Sequence, residues 1–354
     1  MKKIIVCMSG GIDSSLCAFL LLQKGYKVEG LFMKNWELNS QCKLQNEVSD
    51  VKYICNRLKI VLHIVNFTSE YWSNVFKTFL QEFIYGKTPN PDSLCNKEIK
   101  FNLLTKYAFN VLNADYMSTG HYIRLTNKLF FKSLDLNKDQ SYYLYNINKY
   151  YIHKLLFPIG FYNKFEIRKL ANFLFYKLNF KQESFGICFV GNHNFTSFLN
   201  KFFPFNFGNI VTKNNLIIGQ HKGLFFYTNG QTNGFNITKT FNKTVWYVIK
   251  KKIHKNILSV AKTKNKILYT NSLIANNVIW LKNPFDKTIN KITLYAKIRY
   301  RQIDQQCIVY NFINYIKVSF LYKQKGITEG QTIVLYHNNI CFGGAIISST
   351  YNRT

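Results

Sequence analysis

The stretch "VCMSGGIDSS", Val6–Ser15, decides the fold. The apolar run of residues 4–8 enters a Ser9-Gly10-Gly11 turn, and an apolar-faced segment, residues 14–24, leaves it and closes at Gly25. A Gly-rich turn between a strand and a helix aims backbone N–H groups at one spot. The helix start adds partial positive charge there, so the turn suits an anion. Ser9, Ser14 and Ser15 can add hydroxyl donors. No Lys follows the glycines and the spacing is not G-x-G-x-x-G, so neither a Walker A loop nor a dinucleotide fingerprint is present.

Working outward, strands are expected at residues 28–32, 60–67 and 116–118. Helices are expected around Val48, Val51, Cys55 and Leu58, then over residues 69–85 and 97–112. This alternation predicts an α/β domain with a parallel sheet and helices on both faces. From residue 207 the turns crowd together at Gly208, Gly219, Gly223, Gly230 and Gly234. After residue 264 the chain reads as short strands, "TLYAKIRY", "QCIVYNF", "YIKVSFLY" and "QTIVLY", which predict a small β-barrel. The expected division is therefore 1–200, 201–263 and 264–354.

The charge is extreme: 47 Lys and Arg against 17 Asp and Glu give +30 over 354 residues. Such a surface attracts polyanions, with nucleic acid the leading candidate. Phe, Tyr, Asn and Ile are also abundant, as AT-rich coding would make them, so composition alone does not establish that partner. The opening apolar run is too short and too polar at its end for a signal peptide, and no stretch approaches a membrane span. A cytoplasmic chain with reduced cysteines is expected. None of the eight cysteines is spaced C-x-x-C, so no structural metal is expected.

The pattern S-G-G-x-D-S after an N-terminal strand, here Ser9–Ser14, resembles the pyrophosphate loop of the PP-loop ATPases. Those enzymes cleave ATP between the α and β phosphates and adenylylate a substrate oxygen. Asp13 would suit a Mg2+ ion held by the leaving pyrophosphate. Further on, "TPNPDSLCNKEIKF" (Thr88–Phe101) has two prolines two apart, a stiff loop expected to deliver Asp92 and Cys95 at a helix start. A thiol there would have its thiolate stabilised, and Lys97 and Lys100 add positive charge nearby. A second thiol, Cys188, lies in "SFGICFVGN", and only the fold could bring the two together.

The ordered set of S-G-G-x-D-S, N-P-D-x-x-C-N-x-x-I-K-F, T-G-H-Y (Thr119–Tyr122) and I-C-F-x-G (Ile187–Gly191) resembles the tRNA-specific 2-thiouridylases. The match continues through "KDQSYYL" (Lys138–Leu144), "GQHKGLFFYTNGQ" (Gly219–Gln231), "KIRYRQ" (Lys297–Gln302) and "EGQTIVLY" (Glu329–Tyr336). The resemblance implies exchange of the C2 oxygen of the tRNA wobble uridine for sulfur. It also implies a PP-loop domain of the adenine-nucleotide α-hydrolase type, a small central tRNA-contacting domain and a C-terminal β-barrel. By that match Cys7, Met8, Ser9, Gly10, Gly11, Ile12, Asp13, Ser14 and Met33 line the ATP pocket and Gly120 closes it. Asn90, Pro91 and Asp92 meet the target base. Cys95 is the nucleophile and Cys188 carries the persulfide sulfur. His121, Lys138, Asp139, Gln140, Arg299, Tyr300 and Gln331 contact tRNA. Sulfur comes from a cysteine desulfurase, directly or through a relay protein.

Three departures stand out. Thr232 and Asn233 replace a basic pair after the second G-Q. The segment after Trp36 keeps Cys42 and Glu47 but little other acid. "FGGAIIS" (Phe342–Ser348) stands where a more polar turn is usual. Cys7, Cys17, Cys55, Cys307 and Cys341 read as packing residues, and His63 reads as structural. The residues alone leave three readings open: a thiouridylase, another PP-loop enzyme forming an amide or amidine, and a basic RNA-binding protein with a degenerate nucleotide pocket.

Overall fold

The computed structural model describes residues 1–36, 41–175, 195–238, 245–262, 269–286 and 289–352. The N-terminal part contributes β1 (Lys3–Met8), β2 (Lys27–Lys34), β3 (Leu62–Asn66), β4 (Tyr116–Ser118), a hairpin of β5 (Ile123–Thr126) and β6 (Leu129–Lys132), and the two-residue β7 (Leu155–Leu156). Strands β1–β4 and β7 form a parallel sheet in the order β3-β2-β1-β4-β7. Its centre is β1, whose unbroken apolar run reflects burial on both faces: Ile4, Ile5 and Val6 are fully buried. The helix Ile12–Gln23 packs Leu16, Cys17 and Leu21 against one face, and Leu104, Ala108 and Met117 belong to the core on the other.

The strand order reverses at β1, with β2 on one side and β4 on the other. In doubly wound sheets the crevice beyond the strand C-termini at that point is where ligands lie. Here the Ser9-Gly10-Gly11 turn follows β1 and Thr119-Gly120-His121 follows β4, so chain topology alone carries both motifs to one crevice.

The middle of the chain forms a second sheet from β8 (Gly208–Thr212), β9 (Ile217–His221), β10 (Asn236–Ile237), β11 (Trp246–Lys252) and β12 (Ile257–Lys262), in the order β10-β9-β8-β12-β11. The C-terminal strands are β13 (Tyr269–Trp280), β14 (Lys291–Lys297), β15 (Gln305–Asn311), β16 (Tyr315–Lys325), β17 (Thr332–His337) and β18 (Ile340–Tyr351). They run β13-β16-β15-β14-β17-β18, and pairing of β13 with β18 closes an antiparallel barrel. The N-terminal hairpin extends this sheet, because Phe131 of β6 pairs with Ile340 of β18. The N-terminal part and the barrel are thus stitched together at a sheet edge. No helix among the described residues is long and apolar enough to cross a membrane.

Candidate active site

The turn after β1 is braced from within. Gly10 has φ +71°, a left-handed backbone that favours glycine. The Ser9 N–H donates to Ser14 Oγ (3.2 Å), while the Ser14 and Ser15 hydroxyls donate to the Gly11 carbonyl at 3.1 and 2.8 Å. Those two hydroxyls therefore hold the loop's shape rather than standing as donors to an anion, contrary to expectation. Gly11 starts the helix from extended backbone, and no side chain caps it. The helix start is thus open to an anion, which is what an ATP phosphate needs. Gly120 lies against this loop: an added Cβ would be 2.9 Å from Ser14 N and 3.0 Å from the Asp13 carbonyl carbon. Only a glycine lets the end of β4 approach so closely.

Asp13 is engaged by Tyr122, the last residue of the T-G-H-Y motif, and by Lys164, which no motif marked. Tyr122 Oη donates to its Oδ1 at 2.8 Å, and Lys164 Nζ pairs with the same oxygen at 2.7 Å. Lys164 opens a helix whose start is fixed by a capping box of Asn163 and Glu166. Among the described residues no three His, Cys, Asp or Glu side chains group as a metal site. Asp13 offers one carboxylate at most, already neutralised, so a Mg2+ ion here would take most of its ligands from nucleotide phosphates.

The Pro-rich loop ends in a helix that begins four residues before Cys95. Asn90 is the N-cap, its side chain accepting from the Ser93 N–H at 3.2 Å, and Pro91 is the first helical residue. Cys95 therefore sits beyond the first turn, where the helix dipole has largely decayed. It is also only 2% exposed, packed with Trp36, Phe76, Phe79 and Ile99. The helix-start argument for a stabilised thiolate does not hold. The run continues through a π-helical stretch, Asn96–Leu103, which carries Lys100.

Lys100 is the electrostatic hub of the site. Burial raises the Asp92 carboxyl above its ordinary range and Lys100 opposes it. Burial holds His121 well below the ordinary imidazole value, and Lys100 pushes the same way. Burial drives the Cys7 thiol up to about 12 against the pull of the same ammonium. One cation thus acts on the end of β1, the Asn90–Asp92 segment and the turn after β4. His121 Nδ1 lies 2.8 Å from Thr119 Oγ1, and its ring packs against Phe101.

Of the residues matched to tRNA contact, Tyr300 packs against Tyr143, ring centroids 4.7 Å apart and planes tilted by 44°, with Arg301 over its face. Arg299 Nη2 donates to the carbonyls of Lys325 (2.6 Å) and Gly326 (2.7 Å). It lines a pocket of about 430 Å³ with Thr228, Asn229, Gln231, Thr328 and Gln331, between the central sheet and the barrel. Gln140 Oε1 accepts from the Tyr122 N–H, and Lys138 is half-buried. Asp139 is only 3% exposed. It accepts from Ser133 N–H, Ser141 N–H and the Ser141 hydroxyl, and Lys297 of the barrel lies 3.7 Å away. It faces the interior, where it ties the barrel to the N-terminal part. Met33 packs half-buried at the end of β2. Cys188 and its "GICFVG" segment lie outside the described residues, as does any geometry between it and Cys95.

Cys17, Cys55, Cys307 and Cys341 are buried in cores as expected. His63 pairs with Glu29 at 2.8 Å, a structural contact.

A family model described as "tRNA methyl transferase HUP domain" matches residues 2–192, a "PRC-barrel domain" model matches 196–262, and an "Aminomethyltransferase beta-barrel domain" model matches 270–347. Full-length relatives carry a different activity in their name. The tRNA-specific 2-thiouridylase MnmA of Buchnera aphidicola subsp. Acyrthosiphon pisum (strain APS) is 45% identical over 98% of this chain and 97% of its own. That of Buchnera aphidicola subsp. Baizongia pistaciae (strain Bp) is 46% identical over 98% and 96%. That of Marinomonas sp. (strain MWYL1) is 43% identical over 99% and 92%. Among solved structures, a 4-thiouridine synthetase–RNA complex with bound ATP is similar at a TM-score of 0.37 and 20% identity, covering 56% of this chain and 49% of that one. That likeness is too slight to argue from.

Proposed function

The chain belongs to the tRNA-specific 2-thiouridylase family, and from that premise we propose that it performs ATP-dependent 2-thiolation of the wobble uridine, position 34, of tRNA. The observation that carries this reading is the crevice beyond β1 and β4, where Gly120 packs against Ser14 N and Asp13 of the glycine turn and leaves the helix start open to an anion. Lys100 adds positive charge that acts on Cys7, Asp92 and His121 nearby.

The C2 oxygen of uracil is a poor leaving group, and ATP would supply the adenylyl group that makes it a good one, releasing pyrophosphate. The open helix start at Gly11–Ile12 would hold phosphate, with Cys7, Met8, Met33 and Gly120 around the nucleotide. A Mg2+ ion would arrive with the pyrophosphate, beside Asp13. Asp92, with its raised carboxyl, is suited to trade a proton with the base edge or to orient it. A persulfide on Cys188 then attacks C2 through its terminal sulfur, and AMP departs with the former carbonyl oxygen. The Cys95 thiolate attacks Cys188 Sγ, the S–S electron pair leaves with the base as 2-thiouridine, and a Cys95–Cys188 disulfide remains for an external thiol to reduce. In the alternative route Cys95 releases hydrosulfide from the persulfide, and that species attacks.

The anticodon region is single-stranded, so turning one base out costs only a few kcal/mol. The +30 charge supports phosphate binding. The setting is cytoplasmic, with a cysteine desulfurase or a relay protein as the sulfur source. Loading with labelled persulfide sulfur tests the division between the thiols. Cys188→Ser should take up no label. Cys95→Ser should take it up but give no multiple-turnover 2-thiouridine, and both should still adenylylate tRNA. Full loading of Cys188→Ser would overturn these roles.

A further inference from the structure

Gln331 stands in a turn of the barrel, 243 residues along the chain from the loop that it touches. Its side-chain nitrogen donates to the Thr88 carbonyl at 2.8 Å and the Pro89 carbonyl at 3.4 Å. The Thr88 N–H donates back to the Glu329 carbonyl at 3.1 Å. Between these bonds lies Gly330, with φ +85° and so little room that an added Cβ would be 2.8 Å from Lys87 Cβ and 3.0 Å from Thr88 N. The turn is itself fixed to β18, since the Gly330 N–H donates to the Ile347 carbonyl and the Ile347 N–H to the Gln331 carbonyl.

A primary amide nitrogen is a donor only, and this one reaches two adjacent carbonyls of the loop backbone, with the bond to Thr88 the close one. Pro89 has no N–H and a fixed φ, so its position is set by what its carbonyl and that of Thr88 bind. The next residue is Asn90, the N-cap of the helix that carries Asp92 and Cys95. Fixing Thr88 and Pro89 therefore fixes the entry angle of that helix.

We infer that Gln331 is a positioning residue: through the Thr88 and Pro89 carbonyls it sets Asn90 and Asp92 against the target base, and the barrel thereby completes the catalytic site. This rests on the proposed thiolation, and it assigns Gln331 a role other than direct contact with tRNA.

The test uses the full chain with Gln331→Met, which keeps length and loses both donors, and Gln331→Lys, which restores a donor. Three quantities are read: amide hydrogen exchange over residues 88–96 without tRNA, tRNA affinity, and the single-turnover rate at saturating tRNA. Gln331→Met should exchange about tenfold faster in that segment and lose about tenfold in rate, the size of one lost hydrogen bond. Its tRNA affinity should stay within about twofold, and Gln331→Lys should recover most of the rate. Exchange in β1 checks that the fold is intact. Wild-type loop exchange in Gln331→Met, or a tenfold loss of affinity with an unchanged rate at saturation, would overturn the inference. If the wild-type chain made no 2-thiouridine, the proposed reaction would fall, while the exchange measurement would still decide whether Gln331 holds the loop.

Discussion

Replacing Gly11 by Val separates the loop's structural and functional demands. Gly11 has φ −95° and ψ 164°, extended backbone that a β-branched residue adopts readily. An added Cβ there meets only Ser9 Oγ, at 3.4 Å. Gly11→Val should therefore keep its fold, with stability within about 1 kcal/mol of wild type. The new methyl groups would stand where phosphate must approach the helix start. Losing two hydrogen bonds to a charged group, about 1.5–3 kcal/mol each, removes at least about 100-fold in nucleotide affinity. Gly10 gives the opposite signature. At φ +71°, with Glu47 O 3.1 Å and Asp50 Cβ 3.3 Å from a built Cβ, Gly10→Ala should cost about 1–2 kcal/mol of stability from backbone handedness alone. Denaturant unfolding measures the first quantity. Titration calorimetry with ATP and a tRNA-dependent assay for AMP and pyrophosphate measure the second. A folded Gly11→Val protein with wild-type ATP use would refute the assignment of the turn, and a fully stable Gly10→Ala would refute its geometry.

Two further outcomes follow from the site's electrostatics and the barrel. Lys100 lowers the pKa of both Asp92 and His121, so Lys100→Met should raise both. If ionised Asp92 is the working form, the acid limb of the pH–rate profile must then move to higher pH; a limb that stays put or moves down in an active variant would contradict this. Arg299→Ala should weaken tRNA binding and reduce the salt slope by about 0.7, one single-strand phosphate, with ATP binding without tRNA unchanged. An unchanged slope and affinity would confine Arg299 to its bonds with the Lys325 and Gly326 carbonyls.

The parallel sheet and the anion turn were legible because their signals are local: an apolar run, two glycines and an apolar helical face within 25 residues. The barrel strands β14 to β17 were legible for the same reason, whereas β13 and β18, the pair that closes the barrel, were not marked. The start of the helix before Cys95 was open to reading too, since an Asn N-cap followed by Pro is a helix-start signature. Reading Thr88–Cys95 as a loop placed the thiol too early in the helix. The hairpin β5–β6 carried no such mark. Its two-residue turn uses Asn127 and Lys128, both at positive φ, and Lys lacks the glycine that flags such turns. Of the partners of Asp13, Tyr122 stood in a quoted motif without a role, and Lys164 could not be read at all, because it lies 151 residues away and only the packed fold brings it there. Asp139 was matched to tRNA contact by resemblance alone, and its burial was not legible, because serines at 133 and 141 and the barrel's Lys297 are what make that burial tolerable.

The proposed reaction is the exchange of oxygen for sulfur at C2 of the wobble uridine. Its most direct test is to express the chain in cells that lack 2-thiouridine, digest their tRNA to nucleosides and analyse these by mass spectrometry, with Gly11→Val alongside. A 2-thiolated uridine at position 34 is expected with the wild-type chain and none with Gly11→Val. Wild-type protein that is present, folded and bound to tRNA, yet leaves uridine 34 with oxygen at C2, would contradict it.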